Sequence, residues 1–255
     1  MSELILPKVT VILRGYETKQ VLSVVEQLVG TKVNSIEVAS NSPHVAESLA
    51  AAKKEFGSEV HVGAGTVTTV ERAKAAIAAG AEFMLSPIMF SDEIFAEAKA
   101  AGVITVPSAF SPSEIQLMID KGADIVKVFP AGQLGPDYIK AVQAPLGRLP
   151  LMVVGGVNAN NVQSYFDKGA TYAGIGSGIF DPADIEECNS ANLAASIKNL
   201  EDKVNWESRR TPRVGAADQR RRKTWQIWLS TATWSPSSTR RASPASRSSA
   251  ALPAS

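Results

Sequence analysis

The stretch Ile125-Val126-Lys127-Val128-Phe129-Pro130-Ala131 decides the fold. Apolar and largely β-branched residues surround one charge, which is the composition of a strand covered on both faces. Strand alternation puts Lys127 on the face of Ile125 and Phe129, where low dielectric disfavours the ammonium and leaves part of it as free amine. A desolvated amine is a nucleophile toward carbonyls. Two blander readings stand beside that one: a lysine neutralised by a buried carboxylate, or one reaching solvent from a sheet edge. Ser111-Pro112 opens a helix that ends near Lys121 ahead of the strand, and Pro136 starts another behind it. Proline at a helix's first position fits both starts. The strand is therefore one member of an alternating series.

Working outward, the same alternation covers the chain as far as Trp206. Strands are expected at Val9 to Arg14, Ser35 to Ala39, Val60 to Thr66, Phe83 to Pro87, Val103 to Ala109, Leu151 to Gly156 and Tyr172 to Gly178. Helices follow them, with an apolar face of Val21, Leu22, Val25, Leu28 and Val29 in the first and an entry through Ser42-Pro43 in the second. With the Lys127 strand this makes eight βα units, an α/β chain that reads as a (β/α)8 TIM barrel. The competing architecture is an open doubly wound sheet. Its phosphate turn would need Gly-x-Gly-x-x-Gly after the first strand, where this chain has Arg14-Gly15-Tyr16.

In such a barrel the chemistry sits at the carboxyl ends of the strands. Arg14 ends the first strand, Gly63-Ala64-Gly65-Thr66 the third and Ser86-Pro87 the fourth. In the second, alternation turns Ile36 and Val38 to the helices and Glu37 to the lumen, within reach of Lys127. A structural ion pair and an acid/base partnership need the same geometry, and the residues alone leave both open. Gly155-Gly156 and Gly174-Ile175-Gly176-Ser177-Gly178 end the seventh and eighth strands, where these barrels place phosphate. Bare backbone N–H groups, the Ser177 hydroxyl and the Arg14 cation would serve there, although glycines at strand ends are also ordinary turn residues. His44 and His61 have no partner at ligand spacing, so no metal is expected. Cys188 follows Glu186-Glu187, whose charge opposes a thiolate, and reads as inert.

The formal net charge of +1 hides two unlike pieces, with 16 basic against 23 acidic residues up to Trp206 and 10 against 2 from Glu207 onward. Residues 1–206 are thus expected to form the barrel domain, and 207–255 a basic low-complexity tail. The tail reads as disordered or as the product of a shifted or misassembled 3′ end, with binding to nucleic acid or acidic surfaces as the functional alternative. A single cysteine, no start typical of a secretory signal and no long apolar run point to a cytoplasmic chain without membrane or nucleic-acid partners.

Val11-Ile12-Leu13-Arg14-Gly15, Ile36-Glu37-Val38, Gly63-Ala64-Gly65-Thr66-Val67, Lys127-Val128-Phe129-Pro130 and Gly155-Gly156-Val157, in that order, resemble the class I aldolases that cleave 2-keto-3-deoxy-6-phospho sugar acids, the KDPG/KHG aldolase family. The resemblance implies a cofactor-free lyase in which Lys127 forms the Schiff base and Glu37 is the general acid/base. It gives Thr66 the pyruvoyl carboxylate, and phosphate to Arg14 with the loops holding Gly155, Gly156, Gly176 and Ser177. Phe129 joins the pocket wall, and a homotrimer is implied. Phosphogluconate members usually read Glu-Val-Thr-Leu-Arg in the second strand, whereas this chain reads Glu37-Val38-Ala39-Ser40-Asn41-Ser42-Pro43. Asn41 in place of the arginine resembles the 2-dehydro-3-deoxy-6-phosphogalactonate branch. Ser108 and Ile88 stand where relatives often have glycine. The expected substrate is that phosphogalactonate. The alternatives are aldolases for phosphogluconate or 4-hydroxy-2-oxoglutarate, and, in another class, a phospho-sugar binding barrel without chemistry.

Overall fold

The computed structural model describes residues 6–176 and 178–207. Strand and helix alternate from the start: β1 Val9–Leu13, α1 Thr18–Leu28, β2 Ser35–Ala39, α2 Val45–Phe56, β3 His61–Gly65, α3 Val70–Ala78, β4 Phe83–Leu85 and α4 Asp92–Ala101. Next come β5 Ile104–Val106, β6 Ser108–Ala109, α5 Pro112–Asp120, β7 Val126–Val128, α6 Ala131–Leu134 and α7 Pro136–Leu146. β8 Leu151–Val154, α8 Val162–Asp167, β9 Tyr172–Ile175, α9 Pro182–Glu186 and α10 Ser190–Lys203 complete the series.

All pairings are parallel, in the order β5-β4-β3-β2-β1-β9-β8-β7-β6. The two ends of that order are consecutive pieces of the fifth strand, expected to be continuous from Val103 to Ala109. Pro107 carries no N–H for a ladder and divides it. The ring still closes across the division, because the N–H groups of Ile125, Lys127 and Phe129 donate to the carbonyls of Thr105, Pro107 and Ala109 at 3.1, 2.8 and 3.3 Å. This is the expected (β/α)8 barrel, with one strand in two pieces.

Alternation sorts the apolar residues into two cores. Val9, Val11, Ile36, Val38, Val126, Val128 and Val153 pack outward against the helices. Phe83, Leu85, Val106, Ile125, Met152, Val154 and Tyr172 fill the lumen beneath the mouth, with Ile12, Ile104 and Phe129 against them.

Helix entries follow local chemistry. Ser111 Oγ accepts from the Glu114 N–H at 3.3 Å while Glu114 Oε2 accepts from the Ser111 N–H at 2.8 Å, a reciprocal cap on α5. The start of α2 differs from the Ser42-Pro43 entry. Ser42 Oγ accepts from the Gly15 N–H at 2.9 Å, which commits that hydroxyl to the neighbouring loop, and the helix begins at Val45 behind His44 in the left-handed region at φ 47°. The short helix α6, just after Pro130, has no expected counterpart.

Candidate active site

Glu37 and Lys127 face the lumen, and Arg14, Thr66, Gly155, Gly156 and Gly176 lie at the carboxyl ends of the strands, each for a local reason. Ile12 pairs with Glu37, Glu37 with Gly63, and Gly63 with Phe83. Because Ile36 and Val38 belong to the outer core, Glu37 faces the lumen. Glycine on the next strand makes the room: a methyl on Gly65 would fall 1.0 Å from Glu37 Oε1, and one on Gly63 would fall 2.3 Å from the Phe83 ring. Lys127 pairs with Met152 on β8 and enters the lumen between Ile125 and Phe129, its Nζ 4.9 Å from the Phe129 ring centroid.

Glu37 is 2% exposed and Lys127 6%. Burial pushes the Glu37 carboxyl above the ordinary carboxylate range, with the charges of Lys127 and Arg14 pulling it back. Burial likewise lowers Lys127, with Glu37 opposing and Arg14 reinforcing the shift. The pair therefore feel each other's charge, yet none of the ion pairs among the described residues joins them. The neutralised-lysine reading thus lacks its direct contact. No enclosed side-chain polar atom among the described residues lacks a hydrogen-bond partner, so the polar ends of Glu37 and Lys127, which make no hydrogen bond among those residues, open onto lumen space.

Arg14, at the end of β1, donates from Nη1 to Asn41 Oδ1 at 2.7 Å. With the Gly15–Ser42 bond this ties the loops after β1 and β2 together, a connection that strand patterns do not reveal. Asn41 thus holds the guanidinium of Arg14. Thr66 closes β3 in the left-handed region at φ 56°, where β-branched residues are rare. Its carbonyl accepts from Arg72 Nη1 at 3.1 Å, and the same nitrogen donates to Thr68 Oγ1 at 2.9 Å. Arg72 escaped the sequence reading because its position on α3 looks like an ordinary exposed one.

Gly155 and Gly156 follow β8 with φ of 86° and 76°, a conformation glycine adopts without strain. A side chain on Gly155 would meet the Phe129 ring at 3.0 Å. The Gly155 carbonyl accepts from the Gly132 N–H at 2.7 Å and the Gly156 carbonyl from Asn161 Nδ2 at 2.9 Å, which fixes the turn's orientation. Gly176 continues β9 beside the end of β1, bringing it to the side of the mouth that Arg14 occupies. Ser177 lies outside the described residues. Away from the mouth, His61 Nδ1 lies 3.2 Å from Glu82, and His44 sits beside Glu17 and Glu47 on the surface. Among the described residues no group of three or more His, Cys, Asp or Glu gathers as a metal site.

Fold and site together define a class, the (β/α)8 barrel enzymes, with a buried lysine and carboxyl group at the strand ends. The model of the family described as KDPG and KHG aldolase matches residues 2–196, and the chain belongs to that family. It is 29% identical over 194 residues to the 2-dehydro-3-deoxy-6-phosphogalactonate aldolase of Escherichia coli K12, covering 76% of this chain and 94% of that protein. A probable 2-dehydro-3-deoxy-6-phosphogalactonate aldolase of Rhizobium meliloti is 34% identical over 189 residues, 72% of this chain and 89% of that one. The solved structure described as "Native KDPGal structure" superposes with a TM-score of 0.69 at 28% identity, over 76% of this chain and 95% of that one.

Proposed function

We propose that this aldolase, a lyase by its family, cleaves 2-dehydro-3-deoxy-6-phosphogalactonate to pyruvate and glyceraldehyde 3-phosphate through a Schiff base on Lys127. The observation that carries the reading is a lysine 6% exposed in an apolar lumen, with no ion-pair partner among the described residues. The free amine adds to the C2 ketone, water leaves, and the iminium draws the electrons of the C3–C4 bond as Glu37 takes the C4 hydroxyl proton. Glyceraldehyde 3-phosphate departs, the enamine is protonated at C3, and hydrolysis returns pyruvate and the amine. Thr66 receives the substrate carboxylate. Arg14, Gly155, Gly156, Gly176 and Ser177 hold the phosphate, and that remote anchor sets C4 against Glu37. Phe129 walls the pocket beside Nζ and excludes water from the amine.

Borohydride reduction with pyruvate tests this. A covalent adduct on Lys127 is expected, together with loss of cleavage in Lys127→Ala. Glu37→Gln should still trap pyruvate but turn over on the order of 100-fold more slowly, the scale of a lost general acid/base. No adduct would favour a non-catalytic phospho-sugar binding barrel. Because the iminium is the electron sink, chelators should leave the rate unchanged.

The galactonate epimer is favoured by Asn41 where phosphogluconate members usually carry arginine. A short amide that holds Arg14 presents different hydrogen bonds to the sugar-acid end. Cleavage of both C4 epimers under identical conditions should favour the galactonate form at least several-fold in kcat/KM, and about 1.4 kcal/mol of transition-state binding suffices for tenfold. Equal rates, or preference for the gluconate epimer, would return the assignment to KDPG or KHG cleavage. The proposal extends to a cytoplasmic homotrimer. A phosphorylated substrate and a single cysteine fit that compartment, and exposed Ile88, Met89, Phe110 and Leu117 offer an apolar surface for self-association. Light scattering of the purified chain gives the oligomer directly.

A further inference from the structure

The buried polar side chains divide into two groups. Thr10 and Ser35 bond one another at 3.1 Å, Ser48 bonds Thr18 at 2.9 Å, Thr105 Oγ1 donates to Asp124 at 2.8 Å, and Ser86 Oγ accepts from the Ile88 N–H at 3.2 Å. Three others, Glu37, Lys127 and Ser108, make no side-chain hydrogen bond among the described residues. Ser108 is 3% exposed, and its backbone N–H donates to the Ile88 carbonyl at 3.0 Å, while its hydroxyl has no partner among the described residues. A hydroxyl without a protein partner is free to bond water or a ligand.

Register says where that hydroxyl points. Ser108 pairs with Lys127 and Ala109 with Val128. Ala109 and Val128 both pack in the outer core, so Ser108 and Lys127 both face the lumen, side by side on adjacent strands. No enclosed side-chain polar atom among the described residues lacks a hydrogen-bond partner, so the Ser108 Oγ, like Nζ, opens onto the lumen.

Resting on the Schiff-base reading, we propose that Ser108 is a further catalytic residue, whose hydroxyl donates a hydrogen bond to the substrate's C2 oxygen while Lys127 adds to C2. As the Nζ lone pair forms the C–N bond, the carbonyl π pair moves onto oxygen, and the Ser108 O–H stabilises that developing alkoxide in a dry site. A proton passes from nitrogen to oxygen to give the neutral carbinolamine. The nitrogen lone pair then expels the C2 hydroxyl, which leaves as water with a proton from the Glu37 carboxyl, giving iminium and carboxylate. Ser108 keeps its own proton throughout.

The test follows formation of the Lys127 adduct with pyruvate by rapid mixing and borohydride quench, read by mass, in the unsubstituted chain, Ser108→Ala and Ser108→Gly. Both substitutions remove the hydroxyl, and the two differ in volume, so either one that folds suffices. Adduct formation is expected to slow roughly 10- to 100-fold, the scale of one hydrogen bond to a charged group. Solvent exchange of the methyl hydrogens of bound pyruvate, counted per adduct, should stay unchanged, because that step follows iminium formation. A folded variant that forms adduct at the unsubstituted rate overturns the role of Ser108. Exchange per adduct falling in the same ratio as adduct formation also overturns it, since the effect would then be general distortion of the pocket. Absence of adduct in the unsubstituted chain overturns the Schiff-base reading itself.

Discussion

Burial moves the Lys127 and Glu37 protons in opposite directions, the lysine toward free amine and the carboxyl toward its acid form, and their charged neighbours then adjust both. The signs can be separated by substitution. Pyruvate adduct formation should rise with pH as Lys127 deprotonates, on a limb below the ordinary lysine range. In Glu37→Gln the carboxylate no longer stabilises the ammonium, so the limb should move to lower pH. In Arg14→Gln the repulsion that disfavours the ammonium is gone, and the limb should move to higher pH. Shifts of the same sign in both variants would show that the two charges do not act on Nζ as the structure implies. At this scale the sequence was informative wherever a charge interrupted an apolar strand, as at Lys127 and Glu37. It was silent where the partner comes from a segment distant in sequence: the Arg14–Asn41 bond, the Arg72 hold on Thr66 and the place of Ser108 beside Lys127 all depend on how separate strands and loops meet.

The elements carry the site because glycine and ion pairs set where each strand lies. Gly65 on β3 is the seat of Glu37, and the overlap of an added methyl with Oε1 at 1.0 Å leaves the carboxylate no place to stay. Gly65→Ala should therefore reduce cleavage at least as much as Glu37→Gln while leaving the circular dichroism of the barrel intact; retained activity would mean that Glu37 can work from elsewhere. At the other end of the same strand Glu82 fastens β3 and β4 to α2. Its Oε1 accepts from Lys53 Nζ at 2.6 Å, and its Oε2 from the Val62 N–H at 3.1 Å beside His61. Burial alone would raise this carboxyl, but the hydrogen bonds of His61, Lys53 and the Val62 N–H prevail and hold it at about 2. A depressed folded value means stability that is present above the unfolded pKa and lost as pH falls toward 2. Glu82→Gln should cost about 2 kcal/mol near neutrality, allowing for screening of the partly exposed Lys53. The gap between the two proteins should close in acid, and urea melts at several pH values read it; a gap that widens in acid would contradict the assignment. The sequence marked β3 and β4 through their apolar runs, but it could not show that a glutamate just before Phe83 serves the neighbouring strand.

For the whole molecule, eightfold alternation was legible because every strand reads as a short apolar run bounded by glycine, proline or a cap. The break at Pro107 was also within reach, since a proline inside a strand removes a ladder donor. A domain boundary after Trp206 is an expectation from composition alone, the swing to 10 basic against 2 acidic residues from Glu207 onward; the segment after Glu207 lies outside the described residues. What the last described residues hold together is visible. After α10, Val204 is buried, and the Asn205 carbonyl accepts from Lys8 Nζ at 2.6 Å while its N–H donates to Gln163 Oε1 at 2.8 Å. The Trp206 indole donates to the Glu201 carbonyl at 2.9 Å and packs on the outer core, with Lys32 Nζ 6.0 Å from its ring centroid. Residues 204–206 thus join α10 to α8 and to the segment leading into β1. A chain ending at Trp206 keeps all of these contacts and is expected to melt at the same temperature and to cleave substrate at the same rate as the full chain. A chain ending at Lys203 loses the burial of Val204 and Trp206 together with the hydrogen bonds these residues make, and should be less stable by about 2 to 5 kcal/mol. Thermal unfolding and a pyruvate-release assay on the two truncations decide the matter. Loss of stability or activity on ending at Trp206 would make the basic segment part of the working enzyme, and equal behaviour of the two truncations would show that residues 204–206 hold nothing together.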